Sequence, residues 1–332
     1  MASPLRFRVS HERWNDDRFE REILRPLDDK FGATAERTDG PEGYEGRVLR
    51  MGNGDVALFA WRPDGSNSYW TGNTETPKAL WRTEKRAFED VGGELGDWVQ
   101  DHLMELLLNE APWLGRYEGL AWFFLPVLMS KDGAETARDF LRTGAGLPGV
   151  DADVALRFYE RIVESGVFDG YRYTMASKLG TSEGSDRVRM EATMGEFNAA
   201  AILHDAGYAV EPEIEVETGH SLDFRASRDG DSFIVEVTRP TPTGRRKAET
   251  PEHAVRETAA KKTEEGAQLR GNDAVLFVDC SSFEDPAWRR IVRKNPSGGH
   301  EPAVFYRTRP DEVEAFLKGE TRLRLTDAVE WV

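Results

Sequence analysis

Three consecutive segments constrain the fold of this chain most. "SFIVEVTRP", Ser232 to Pro240, reads as a strand. "TPEHAVRETAAKKTEEGAQLRG", Thr250 to Gly271, has helical length and spacing and opens at Thr250-Pro251. "DAVLFVDCSS", Asp273 to Ser282, is apolar without alternation, as in a strand covered on both faces. A long helix between two strands predicts a crossover, and hence a mixed sheet with helices packed on it.

The neighbouring segments extend this pattern. "DRVRMEATMGEFNAAAILHDAGY" reads as a helix, and "AVEPEIEVETG" and "SLDFRA" read as strands. Beyond the central strand, "DPAWRRIVRK" predicts a short helix and "PAVFYRTRP" a further strand. The order is α-β-β-β-α-β, then α-β, so residues 186–332 are expected to form an α/β domain.

Residues 1–180 read differently, as α+β and then mainly helical. "RVLRMGNGDVALFAW" predicts a hairpin around Asn53-Gly54. Helical patterns run from Thr76 to about Lys178. Seven of the nine tryptophans fall in the first 122 residues, which predicts a Trp-rich core. A base-stacking surface would need a basic stripe beside it, and the sequence shows none in that region. The polar run "SKLGTSEGSD", Ser177 to Asp186, marks the expected boundary.

Composition narrows the setting. The formal net charge is −16, from 60 acidic and 44 basic residues, of which ten are lysine. Acid excess with scarce lysine suits a salt-rich cytoplasm, because salt screens the repulsion between carboxylates. The single cysteine, Cys280, excludes an intramolecular disulfide and fits a reducing cytoplasm. The longest apolar run, "GLAWFFLPVLM", is shorter than the ~20 residues of a membrane span, so no membrane partner is expected.

Two motif matches are rejected on context. Gly144-Ala145-Gly146-Leu147-Pro148-Gly149 fits a dinucleotide fingerprint by letters but follows a helix and contains proline. Gly180-Thr181-Ser182-Glu183-Gly184 fits a nucleophile elbow without the strand that should lead into it. Paired Cys or His spacing for zinc is absent from the sequence.

The chemistry is expected at the hairpin "SLDFRASRDGDSFIVEVTRP". With Asp229-Gly230 as a two-residue loop, Arg228 faces Asp231 and Asp223 falls opposite Glu236. Leu222, Phe224 and Ala226 then share an apolar face with Val237, Val235 and Phe233. Like charges directly opposed repel, and burial forces one toward protonation. A divalent cation relieves that conflict, with Asp223, Glu236 and the Val237 carbonyl as ligands. A solvated polar face bridged by Arg225 is the alternative.

The order of Glu196 on a helix, then Asp223, then Glu236-Val237-Thr238 on a hairpin resembles the PD-(D/E)XK, or restriction-endonuclease-like, nuclease superfamily. The resemblance covers roughly Asp186 to Ser282. It implies a Mg²⁺- or Mn²⁺-dependent nuclease, with nucleic acid, chiefly DNA, as partner. Asp223 and Glu236 would bind the metal and Glu196 would support them. Thr238 stands where that superfamily usually carries lysine.

Lys262 is the candidate substitute, since it falls on the otherwise apolar stripe Val255, Ala259, Gly266, Leu269. Snorkelling from the stripe's edge is the other reading of it. Lys261 is the second choice, and Gln268 is a polar candidate. Arg239, Arg245, Arg246 and Lys247 follow Glu236 and are expected to track a phosphate backbone. A nuclease-derived fold kept only for binding is the rival to an active enzyme. Over nearly its full length the chain also resembles an uncharacterised haloarchaeal family, through "SHERW", "GNTETPKALWRTEK", "YTMASKLGTS" and "VEVTRP".

Overall fold

A computed structural model describes residues 6–91, 93–130, 133–179, 186–215, 221–242, 250–265 and 274–332. The chain divides into two compact units. One comprises Met1–Arg116, Ala121–Glu135 and Leu179–Gly184; the other comprises Tyr117–Leu120, Thr136–Lys178 and Ser185–Val332. The helical stretch 136–178 therefore groups with the C-terminal sheet rather than with the N-terminal part, where the sequence reading put it. Sequence pattern marked the polar run near 180, but it carries no information on which core a helix joins.

The first unit contains a six-stranded sheet in the order β2-β3-β4-β5-β1-β6. Its strands are β1 (Arg6–Ser10), β2 (Thr34–Asp39), β3 (Glu45–Arg50), β4 (Val56–Trp61), β5 (Ser68–Gly72) and β6 (Glu84–Ala87). β4 lies between two antiparallel partners and is buried at every residue, so both faces of the sheet are covered there. Gly54 takes φ +83° in the turn between β3 and β4, as the Asn53-Gly54 pair predicts. Helices α1 (Asp16–Phe19) and α2 (Arg25–Phe31), joined by a π-helical turn at Glu20–Leu24, cover one face. Phe19, Ile23 and Leu27 bury there with Trp14, Phe59, Trp61 and Trp70, the expected Trp-rich core. Helices α3 (Gly93–Glu110) and α4 (Glu118–Leu128) follow. α4 carries the longest apolar run, and among the described residues no helix is long and apolar enough to cross a membrane.

Besides Tyr117–Leu120, the second unit contains most of α5 (Ala134–Arg142), then α6 (Ala152–Glu164) and α7 (Arg172–Lys178). The expected alternation follows as α8 (Asp186–Asp205), β7 (Ala209–Glu215), β8 (Ser221–Arg228), β9 (Asp231–Thr238), α9 (Pro251–Glu265), β10 (Ala274–Asp279), α10 (Asp285–Lys294) and β11 (Ala303–Arg309). β12 (Glu312–Lys318) and β13 (Glu330–Trp331) complete a seven-stranded sheet in the order β13-β12-β11-β10-β9-β8-β7. β10 is parallel to both β9 and β11, and β7-β8-β9 is an antiparallel meander, so the sheet is mixed as predicted.

Helices cover both faces. Ala254, Val255 and Ala259 of α9 and Trp288 and Ile291 of α10 pack on Leu276 and Val278 of β10 and Phe305 of β11. On the opposite face Asn198 of α8 donates to Asp279 (3.0 Å). The β8–β9 register is the predicted one, from Arg228↔Asp231 to Phe224↔Val235. Asp229 and Gly230 both take positive φ, +53° and +85°, as a type I′ turn requires. The rejected fingerprint 144–149 is a loop between α5 and α6.

Candidate functional site: acids and lysines at the end of a hairpin

The site forms where the β8–β9 ladder stops. The paired register ends at Phe224↔Val235, and continuing it sets Asp223 across from Glu236. There side chains replace main-chain pairing. The Asp223 Oδ2 accepts from the Val237 N–H (2.8 Å), and the Glu236 Oε2 accepts from the Asp223 N–H (3.4 Å). Each acid thus holds the backbone of the opposite strand, and Val237 meets the acids through its N–H.

Strand alternation places Glu236 on the same face as Ile234, which packs against the α9 core. Its side chain is 3% exposed. Lys262 lies one turn beyond Ala259 on the same helical stripe, and its Nζ donates to Glu236 Oε1. The Lys262 side chain remains 40% exposed, so its ammonium faces both the buried acid and solvent. Lys261 instead pairs with Glu257 on its own helix (3.6 Å).

A second lysine completes the cluster, and sequence reading missed it. Lys178 ends α7, and its Nζ lies 2.5 Å from Glu196 Oε2 and 3.7 Å from Asp223 Oδ1. It joins the helix acid to the hairpin acid, so Glu196 reaches the site through this lysine. Lys178 is one of only ten lysines in the chain, and that scarcity was the signal available. Its position inside the polar run Ser177 to Asp186 disguised it as boundary.

The electrostatics follow from crowding. Burial, then the neighbouring Asp223 charge, push the Glu236 carboxyl up to about 7, and Lys262 pulls against them. Burial alone would lower the Lys262 ammonium, but Asp223 and Glu236 raise it above its ordinary value. Glu196, Asp223 and Glu236 supply three negative charges when ionised, and Lys178 and Lys262 two positive ones. One negative charge is left over.

Asp223 and Glu236 suit an oxygen-preferring divalent cation in donor type and in their shared excess of negative charge. Lys178, set between Glu196 and Asp223, keeps the third acid out of a common ligand set. Among the described residues no group of three or more His, Cys, Asp and Glu is placed to hold a metal ion.

The expected phosphate contacts divide. Arg239 is not on the surface: its side chain is 1% exposed, and this corrects the sequence reading. Arg239 Nε donates to Ser282 Oγ (2.8 Å), Nη2 to the Gly146 carbonyl (2.6 Å), and Nη1 lies 3.5 Å from Asp279 Oδ2. β9 delivers Arg239 to the α8 face, where Asp279 at the end of parallel β10 supplies a buried counter-charge. Arg245, Arg246, Lys247 and Gln268 lie outside the described residues. Arg290 of α10 is held by Glu252 (2.8 and 2.9 Å) and is ion-paired surface. Arg225 pairs with Glu211 (3.1 Å) rather than bridging the two site acids.

A cavity of about 440 Å³ opens beyond the ends of β9 and β10, lined in part by Gly146, Arg187, Glu191, Thr241 and Ser282. Arg239 ties two of its walls together through Gly146 and Ser282. Crevices at the carboxyl ends of parallel strands are where open α/β sheets bind ligands.

Fold and site together define a mixed α/β protein with a partly buried acid–lysine cluster at the end of a β-hairpin. The chain belongs to the family of unknown function DUF5784, whose family model matches residues 2–325. No curated protein and no solved structure matches it.

Proposed function

We propose that the second unit is a divalent-metal-dependent nuclease, hydrolysing phosphodiester bonds with DNA as the substrate class. The observation that carries this reading is the contact of Lys262 with Glu236. It brings a cationic donor to the acid pair, which Thr238 cannot do. The restriction-endonuclease-like arrangement is part of the proposal. Its support is the order α8-β7-β8-β9-α9-β10, with Glu196 on the first helix and Asp223 and Glu236 on the hairpin. Acid excess and scarce lysine support a salt-rich cytoplasm as the setting.

Asp223 and Glu236 would hold Mg²⁺ or Mn²⁺, which supplies an activated water and neutralises charge on the phosphate. The chain's own groups do the rest. The Lys262 ammonium has three donors and spends one on Glu236, leaving two for a water or a phosphate oxygen. Lys178 orients Glu196 and sets a positive charge beside both acids. A divalent ion added to a cluster with one excess negative charge makes it net positive, which suits a phosphodiester.

The test is cleavage of supercoiled, linear and single-stranded DNA, and of RNA, by the full chain with Mg²⁺ or Mn²⁺ across a range of salt. Cleavage that Asp223→Ala abolishes supports the reading. If no form is cut beyond the Asp223→Ala level, the reading falls. The second reading, a nuclease-like domain that binds nucleic acid or protein without cutting, is favoured by one observation. Lys178 and Lys262 already neutralise most of the acid charge, and no three-residue metal cluster occurs among the described residues.

A further inference from the structure

The first unit carries a basic edge at odds with the charge of the whole chain. β6 is an outer strand of its sheet and pairs antiparallel with β1. The register sets Arg8 directly opposite Lys85 and Arg6 opposite Ala87, so Arg6, Arg8 and Lys85 share one face. Two cations directly opposed on neighbouring strands repel. Arg8 reaches across this face to the turn that precedes β6, donating to Thr76 Oγ1 (3.2 Å) and to the carbonyls of Leu80 (3.3 Å) and Trp81 (3.4 Å). That turn carries Lys78, Trp81 and Arg82, all exposed.

Among the described residues, Arg6, Arg8, Lys78, Arg82 and Lys85 form no ion pair. Nearby acids are occupied elsewhere: Glu75 with Lys30, Glu84 with Arg86, and Asp90 with the Ala87 N–H (3.1 Å). Five cations without counter-charge, in a protein of net charge −16, form a local field that attracts anions.

Trp81 gives the field its chemistry. It is 54% exposed, and its indole N–H is tied to the Thr76 carbonyl (2.7 Å), so the ring is held in place at the surface. A fixed exposed ring among cations is the arrangement that stacks an unpaired base while neighbouring charges hold the phosphates. Arg6 and Arg8 are spaced by about 7 Å along the strand, comparable to the step between phosphates in an extended single strand. A lipid surface fits less well. Trp81 is the one large exposed apolar side chain of this unit among the described residues, and membrane docking needs a buried apolar face.

We propose that this edge binds single-stranded nucleic acid, with Trp81 as the stacking platform and Arg6, Arg8, Lys78, Arg82 and Lys85 as the phosphate contacts. The proposal rests on the first unit alone and is independent of the acid–lysine site, because its readout is binding in chelator rather than cleavage.

The test is fluorescence anisotropy of a labelled oligothymidylate with the full chain in chelator at several salt concentrations. Affinity should fall with salt. Trp81→Ala should weaken binding tenfold or more, and Trp81→Phe, which keeps a ring, by less than threefold. Lys85→Glu should weaken binding and make the salt slope shallower. Circular dichroism confirms that each variant is folded. The proposal is overturned if the oligonucleotide does not bind, if folded Trp81→Ala and Lys85→Glu bind as the parent does, or if anionic vesicles bind at this edge while the oligonucleotide does not.

Discussion

Lys262 on α9 donates to Glu236 on β9 across 26 residues of sequence. The strand position next to Glu236's own neighbour is the buried Thr238, so the cation comes from the helix that crosses over the strand. Lys262→Met should therefore lower cleavage by about a hundredfold or more, the scale of losing one donor to developing charge. Single-turnover cleavage of a labelled duplex measures it. The double change Thr238→Lys with Lys262→Thr returns the amino group to the strand and should recover part of the lost rate. No recovery in a folded double variant would mean that position on α9, and not mere charge, is what matters.

Lys178 makes a different prediction, because it touches two acids rather than one. Lys178→Met releases Glu196 from Asp223 and leaves both acids without that cation. Cleavage should fall about tenfold or more, and the Mg²⁺ concentration for half-maximal rate should change. Lys178→Arg should retain part of the rate by keeping the charge. A Lys178→Met enzyme with unaltered rate and metal dependence would make the lysine a structural pin only.

How much of this was legible beforehand depends on whether the cause was local. The Asp229-Gly230 turn determines the hairpin register by itself, so Asp223 could be placed against Glu236 from the sequence alone. The helical stripe of α9 likewise pointed Lys262 at the sheet. Lys178 had no such handle. It sits in another helix, within the polar run that leads to α8, and only tertiary packing brings it to Asp223. Arg239 shows the converse. A Pro- and Arg-rich run after a strand looks solvent-facing, and what buries Arg239 is Asp279, forty residues later on a neighbouring strand. The base-stacking surface escaped for the same reason: Arg6 and Arg8 are far in sequence from Trp81 and Lys85, and only strand pairing makes them one face.

The raised carboxyl of Glu236 has a stability consequence with a definite sign. In the unfolded chain the group ionises near 4.5; in the native, metal-free chain burial first, and then Asp223, push it to about 7. Between those values the native state holds a proton that the unfolded chain has lost. Its contribution to stability is thus fully present below pH 4.5 and is lost as pH rises through about 7, a change on the order of 3 kcal/mol. Urea unfolding in chelator at pH 5 and pH 8 should show a decline for the parent that Glu236→Gln reduces. Equal declines in both would mean the carboxyl is not perturbed.

The buried pair Arg239–Asp279 separates a structural from a nucleic-acid role for the arginine. Both side chains are almost fully enclosed. Asp279 also accepts from Asn198 Nδ2 (3.0 Å) and the Ser281 N–H (2.8 Å), so the pair knits α8 to the ends of β9 and β10. A Cβ added at Gly195 would sit 3.2 Å from both Arg239 and Asp279, so glycine there lets α8 approach the pair closely. Removing one partner strands the other charge in the interior, which costs about 3–5 kcal/mol. Arg239→Met and Asp279→Asn should each lower the urea midpoint substantially, and the double variant should lose less than the sum of the two. The Lys262–Glu236 contact lies on the opposite face of the sheet, so surviving folded Arg239→Met protein should keep its affinity for DNA in chelator. A variant of full stability with weakened DNA binding would return Arg239 to the phosphate-facing role that its sequence context first suggested.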